Sequence, residues 1–224
     1  MHPQLILEFE HRPALSGEDF LVTDCNAEAI EWIDQWPQWS EPVVSIYGPA
    51  GCGKTHLASV FSHLSGATLL SEAELRGGIL PEPAEGSAWI VEGADQLLDS
   101  DTQEPLLHLY NSVRECGGGL LLTGRTPASR WPTGLKDLSS RLRSIPAIEI
   151  GPPDDNLMVA LLVKLFADRQ LRVDDKVLSY MLSRMERSFE AARLLVAEID
   201  RVSLAEGRKI SRPLISKILS NEGL

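Results

Sequence analysis

The sequence predicts an α/β domain with a parallel sheet between helices, followed by a small all-helical domain. Three observations carry this. Short apolar runs rich in Val, Ile and Leu alternate with helical stretches between residues 26 and 150. A glycine-rich segment separates the first clear strand run from the helix after it. Beyond Gly151-Pro152-Pro153 only helical periodicity remains. Strands alternating with helices build parallel sheets covered on both faces. The expected organisation is a tail over residues 1–19, an α/β domain over 20–151 and a helical domain over 152–224.

In chain order, the first helix is expected from Asn26 to Trp36, with Asn26 as its cap and Ala29, Ile30 and Ile33 on one side. Pro37 and Pro42 bracket its exit. Val43 to Tyr47 reads as a buried strand, and His56 to Leu64 as the helix after it. Ser87 to Val91 is a second strand. Thr102 to Glu115 is helical in pattern, with Leu106, Leu107, Leu109, Tyr110 and Val113 apolar, and Gly117-Gly118-Gly119 breaks it. Leu120 to Thr123 and Pro146 to Ile150 complete four strands. The helical domain then opens at Asp154-Asp155, Asp174-Asp175, Ser188 and Ser211, each ahead of an apolar stripe.

Composition bounds the chemistry. The 224 residues are 43% hydrophobic and 24% charged, enough for a sizeable core. The net charge is −11, which argues against a chain whose main work is coating duplex DNA. The charge is uneven: residues 1–150 hold 9 basic and 21 acidic residues, residues 151–224 hold 12 and 11. Cys25, Cys52 and Cys116 form no CxxC, which excludes a disulfide framework and disfavours zinc. No secretory signal is seen, and no apolar run approaches the roughly 20 residues of a membrane span. A reduced, cytoplasmic protein without membrane contact is expected.

Gly48-Pro49-Ala50-Gly51-Cys52-Gly53-Lys54-Thr55 fits G-x-x-x-x-G-K-[ST] in full. Converging backbone N–H groups demand glycine where a side chain would block a phosphate. The Lys54 ammonium neutralises β/γ oxygens, the Thr55 hydroxyl is a ligand for Mg²⁺, and the following helix points its positive end at the phosphates. The motif follows a strand and opens a helix, the context it requires. Nucleotide binding is therefore expected.

A hydrolase of this kind also needs acids at a nearby strand end. Trp89-Ile90-Val91-Glu92-Gly93-Ala94-Asp95 is the candidate. Glu92 stands where the metal-side acid belongs, as Mg²⁺ ligand with Thr55, though a solvated strand end reads the same way. The next position, where water would be oriented, is Gly93. Asp95 lies further on. A missing base removes a factor of roughly 10²–10⁴ from the chemical step. Weak intrinsic turnover is expected.

Together with the segments below, these residues resemble the DnaA-related branch of the AAA+ ATPases, and within it the Hda family of regulatory inactivators of the initiator DnaA. The resemblance covers residues 4 to about 220. It implies adenine nucleotide, ADP or ATP, as ligand. It implies an arginine finger at Arg141, in Asp137-Leu138-Ser139-Ser140-Arg141-Leu142, with Arg143 as its neighbour and rival. Such a finger offsets charge developing on a γ-phosphate across a subunit boundary. It carries the lid-domain sensor to Arg187, in Met185-Glu186-Arg187-Ser188-Phe189, with Arg193 as the alternative. Leu21 and Val22, in Phe20-Leu21-Val22 ahead of Asn26, match the adenine-side segment. Thr123 ends the first sensor strand, and Arg125 stands where relatives often carry an acid.

Gln4-Leu5-Ile6-Leu7-Glu8-Phe9 resembles the peptide by which partners dock on the bacterial sliding clamp. Gln4 would fix register while Leu5, Leu7 and Phe9 enter an apolar groove; an edge strand alternates in the same way. The sequence ends after the helical domain without a helix-turn-helix module, so sequence-specific DNA reading is not expected. The resemblance implies the clamp and DnaA as partners and control of re-initiation as the role; because a site of this type is completed by a neighbouring subunit, self-association as a homodimer is expected. An autonomous ATPase, such as a helicase- or clamp-loading factor, and a small-molecule kinase are the competing readings of the same P-loop.

Overall fold

The computed structural model describes residues 11–12, 20–78, 80 and 84–222. They form two compact units. One contains residues 26–151, the other residues 152–222 with 21–25. His11–Arg12 (β1) and Phe20–Leu21 (β2) form a two-stranded ladder.

The α/β unit runs Ala27–Asp34 (α1), Val43–Tyr47 (β3), Lys54–Ser65 (α2), Thr68–Leu70 (β4), Glu72–Gly77 (α3), Ala88–Val91 (β5), Ala94–Leu97 (α4), Gln103–Glu115 (α5), Gly119–Gly124 (β6), Lys136–Ser144 (α6) and Ala147–Glu149 (β7), with a 3₁₀ turn at Ala128–Arg130. The five strands lie in the order β4-β5-β6-β3-β7. Each paired neighbour is parallel, with Val43 opposite Leu120 and Ser45 opposite Ala147.

The pleat sends alternate residues to opposite faces. Val43, Trp89, Val91, Leu120 and Leu122 join one core with Leu75 of α3, Leu106 and Leu109 of α5 and Leu138 of α6. Val44, Ile46, Ile90 and Leu121 are also buried, on the side where α1 and α2 bury Ile30, Ile33, Leu57 and Phe61. A sheet buried on both faces reads as continuous apolar runs, which is how β3, β5 and β6 look in sequence. At the far end of β6 the Trp36 ring covers Gly119, where an added Cβ would lie 2.1 Å from Trp36 Cζ3. Trp36 meets Trp39 and Phe61 edge-on, and Trp39 stacks on Phe61 with centroids 4.9 Å apart.

Two expectations are corrected. The sheet has five strands rather than four. β4 is three residues at the sheet edge with only Leu70 buried, too short for alternation to show. Asn26 precedes α1 but makes no side-chain cap hydrogen bond; it is buried with a partner elsewhere. The short helices α3, α4 and α6 were not anticipated as elements. α3 is closed by a capping box between Ser71 and Glu74.

The second unit is a helical cluster of Asp155–Asp168 (α7), Asp175–Leu182 (α8), Phe189–Glu206 (α9) and Arg212–Glu222 (α10). Asp154, Asp174 and Ser188 cap the first three through hydrogen bonds to Leu157, Lys176 and Ala191 N–H. Met158, Leu162, Phe166, Met181, Ala192, Val196, Ile199 and Ile215 form its core. Among the described residues no helix is long and apolar enough to cross a membrane.

Candidate functional site

The strand order places β3 between β6 and β7, while the next strand in the chain, β4, lies at the far edge. The loop leaving β3 therefore opens where the connections part to opposite sides, the position where open parallel sheets bind ligands. That loop is Gly48–Gly53. Gly48 N–H donates to the Gly124 carbonyl at 3.2 Å, fixing the loop to the end of β6. A Cβ at Gly48 would lie 2.2 Å from the Ile150 carbonyl oxygen and 2.9 Å from Cys52 Sγ, so only glycine fits. Gly53 caps α2 at φ +101°, a left-handed backbone that favours glycine. α2 starts at Lys54, two residues earlier than the apolar pattern suggests, because the motif residues themselves form its first turn.

Lys54 Nζ lies over the loop, donating to the Gly48 carbonyl at 2.8 Å and the Pro49 carbonyl at 2.7 Å, with Cys52 Sγ at 3.6 Å. Pro49 and Ala50 are exposed at the turn, and Gly51 takes φ +71°. Burial holds the Cys52 thiol above its usual pKa, against the opposing pull of the Lys54 charge.

Thr55 Oγ1 donates to Glu92 Oε2 at 2.7 Å. The contact joins the start of α2 to the end of β5. A hydroxyl and a carboxylate are hard oxygen donors of the kind Mg²⁺ takes, in a setting where phosphates and water supply the other ligands. Among the described residues no group of three or more His, Cys, Asp or Glu could hold a metal. The loop geometry and this donor set both fit a Mg-nucleotide.

Gly93 caps α4 at φ +61°, and its N–H donates to Thr123 Oγ1 at 3.0 Å. Thr123 is 2% exposed. Asp95, in the first turn of α4, accepts from Arg125 N–H at 2.8 Å, and its other oxygen is buried without a partner. Asp95 thus ties α4 to the end of β6. The sequence offered a sign of this in an acid two residues past Gly93, but its partner is a backbone amide thirty residues away, which no local pattern reveals.

The arginines sit as follows. Arg141 on α6 is 28% exposed. Its guanidinium lies 5.2 Å from the Tyr110 ring centroid, and its buried Nε is 3.8 Å from Asp137 Oδ1, too far for a hydrogen bond. Arg143, two residues on, is exposed. In the helical unit Arg187 pairs with Asp155 at 2.8 Å, just ahead of the Ser188 cap of α9, and Arg193 lies on α9 with a partner of its own. Leu21 lies in β2, and Val22 is partly buried. Gln4, Leu5, Leu7 and Phe9 lie outside the described residues.

Residues 155–219 match the family model of the Hda lid domain. Across 94% of its length the chain is 26% identical to the chromosomal replication initiator DnaA of Thermoanaerobacter sp. strain X514. The fold is similar to domain III of Thermotoga maritima DnaA, with a TM-score of 0.76 at 17% identity over 90% of this chain and 94% of that one. The chain is a DnaA- and Hda-related AAA+ protein. Further fold relatives are AMPPCP-bound DnaA from Aquifex aeolicus, with a TM-score of 0.68 at 16% identity over 83% of this chain and 64% of that one. A Thermotoga maritima RuvB variant superposes at 0.70 with 14% identity, over 94% and 72%. The chain spans about half the length of the curated DnaA relatives it matches.

Proposed function

We propose that this chain is a regulatory AAA+ protein that binds an adenine nucleotide with Mg²⁺, docks on the DNA polymerase sliding clamp and stimulates ATP hydrolysis on DnaA, restraining re-initiation of replication. The observation that carries the reading is the pairing of an Hda-type lid with an incomplete acid set. Thr55 and Glu92 meet, but a left-handed glycine follows Glu92 where a water-orienting carboxylate would stand.

In this reading the amides of Gly48–Gly53 surround the phosphates, with Pro49, Ala50 and Cys52 shaping the turn. Lys54 leaves its loop carbonyls for phosphate oxygens, and Thr55 and Glu92 hold Mg²⁺. The ion, when bound, screens phosphate charge. Leu21 and Val22 border the adenine, and Arg187 exchanges Asp155 for a phosphate. Arg141 leaves the Tyr110 face to reach ATP on DnaA. Gln4, Leu5, Leu7 and Phe9 hold the clamp. The cytoplasm is the expected compartment and a homodimer the expected assembly.

The test is turnover of DnaA-bound ATP with clamp-loaded DNA. Arg141→Ala is expected to lose most of a stimulation worth about 10³–10⁵ for a finger. Full stimulation by the variant removes the finger role. In a clamp pulldown, alanine at Gln4, Leu5, Leu7 and Phe9 is expected to abolish capture. The alternative, an autonomous ATPase such as a helicase- or clamp-loading factor, is favoured by the intact Thr55–Glu92 contact. It requires brisk ATP turnover by the isolated chain, lost in Lys54→Ala.

A further inference from the structure

The charge of residues 1–150 is segregated along the chain. Residues 1–113 carry 3 basic and 18 acidic residues, whereas residues 114–150 carry 6 basic and 3 acidic. Two of those six, Lys136 and Arg143, face a single cavity of about 360 Å³, lined also by Thr133, Gly134, Ser139 and Ser140. They stand at i and i+7 on α6, with the two serines between them at i+3 and i+4. All four therefore occupy one helix face.

Three other cations of the α/β unit are engaged. Arg76 pairs with Glu72 and Asp99, Lys54 with loop carbonyls, and Arg141 rests against Tyr110 near Asp137. Lys136 and Arg143 make no ion pair or side-chain hydrogen bond among the described residues. The nearest acid in sequence, Asp137, lies instead toward Arg141.

The cavity wall is built rather than incidental. A single carboxamide oxygen, Gln103 Oε1, accepts from Thr133 Oγ1 at 3.0 Å, Gly134 N–H at 2.8 Å and Leu135 N–H at 3.2 Å, pinning the segment that enters α6 to the start of α5. The lining contains no aliphatic or aromatic side chain beyond methyl and methylene stems. An apolar ligand or a peptide anchored by a hydrophobic side chain has nothing to bind there. Lysine, arginine and serine hydroxyls are the donors that phosphate oxygens take. The two cations rise from positions about 10 Å apart along the helix axis, so a ligand engaging both must be long or multiply charged. The volume lies within the roughly 300–1,000 Å³ of small-ligand pockets.

We propose that this cavity is a second anion site, in which Lys136 and Arg143 hold phosphate groups of a multiply charged ligand, with Ser139 and Ser140 as hydroxyl donors. The phosphates come either from a small polyphosphate or from a nucleic-acid backbone. The site shares no residue with the P-loop, and its Arg143 is the neighbour of Arg141 on α6 rather than Arg141 itself.

The test reads acylation of individual lysines in the full-length chain by peptide mass spectrometry, with pyrophosphate, a thymidine oligonucleotide or polyglutamate present. Lys54 in the same digest reports the P-loop separately. Phosphate ligands are expected to slow acylation of Lys136 by about tenfold, the scale of a charge-assisted contact, and Arg143→Ala is expected to remove that protection. Protection by pyrophosphate assigns a small ligand; protection by the oligonucleotide alone assigns a strand backbone. The proposal is overturned if neither protects Lys136, if protection survives Arg143→Ala, or if polyglutamate protects equally well.

Discussion

Thr55 Oγ1 and Glu92 Oε2 meet at 2.7 Å although 37 residues separate them. The contact depends on β5 lying beside β6 and β6 beside β3, which brings the end of β5 level with the first turn of α2. It unites the two residues that a Mg-nucleotide would need as oxygen donors, one from the P-loop and one from the neighbouring strand end.

If the pair supports a metal, Thr55→Val and Glu92→Gln each weaken Mg²⁺-dependent nucleotide affinity by about 10–100-fold, the range seen when support of a metal site is lost. Titration of a fluorescent ADP with and without Mg²⁺ measures this. Unchanged Mg²⁺ dependence in both variants would separate the pair from metal binding.

Gly93 is expected to resist conversion into a catalytic acid. Its φ of +61° costs a side-chain-bearing residue about 1–2 kcal/mol, and its N–H is already committed to Thr123. Gly93→Glu should lower the denaturation midpoint without raising ATP turnover. A gain in turnover would mean that the loop adapts and that the missing acid alone limits hydrolysis.

The Trp36–Gly119 contact predicts a packing penalty. Gly119→Ala places a methyl group against the indole, and overpacking costs about 1–3 kcal/mol. Denaturant unfolding should show that loss, and combining it with Trp36→Leu should recover part of it. Strictly additive losses would show that the indole moves aside freely.

Cys52 should react slowly. It is 4% exposed, and burial raises its pKa, so less thiolate is present than on a free thiol at the same pH. Iodoacetamide at pH 8 should label Cys25 and Cys116, both partly exposed, well before Cys52. Its rate should climb with pH beyond the usual thiol range, because the raised pKa delays ionisation. Labelling of Cys52 as fast as the other two would contradict the burial seen at the base of the loop.

Much of the fold was legible in the residues alone. β3, β5 and β6 are buried on both faces and so read as unbroken apolar runs. The helices α7, α8 and α9 announce themselves through Asp154, Asp174 and Ser188, whose side chains cap the turns that follow. The P-loop was legible because its glycines answer a local demand: Gly53 turns left-handed, and Gly48 admits a neighbouring backbone. β4 and α6 were not legible. One is a three-residue edge strand, and the other buries only Leu138 and Leu142.

The sequence by itself determined the alternation of strands and helices, the phosphate-binding loop and the change to an all-helical unit after Gly151. These rest on nearest-neighbour chemistry, namely periodicity, capping and backbone freedom. Only the tertiary structure decided that Glu92 meets Thr55, that Asp95 holds the Arg125 amide, that Arg141 lies on Tyr110, and that Lys136 and Arg143 share one cavity. The strand order and the packing of helices against the sheet set these distances, and no window of adjacent residues encodes that order.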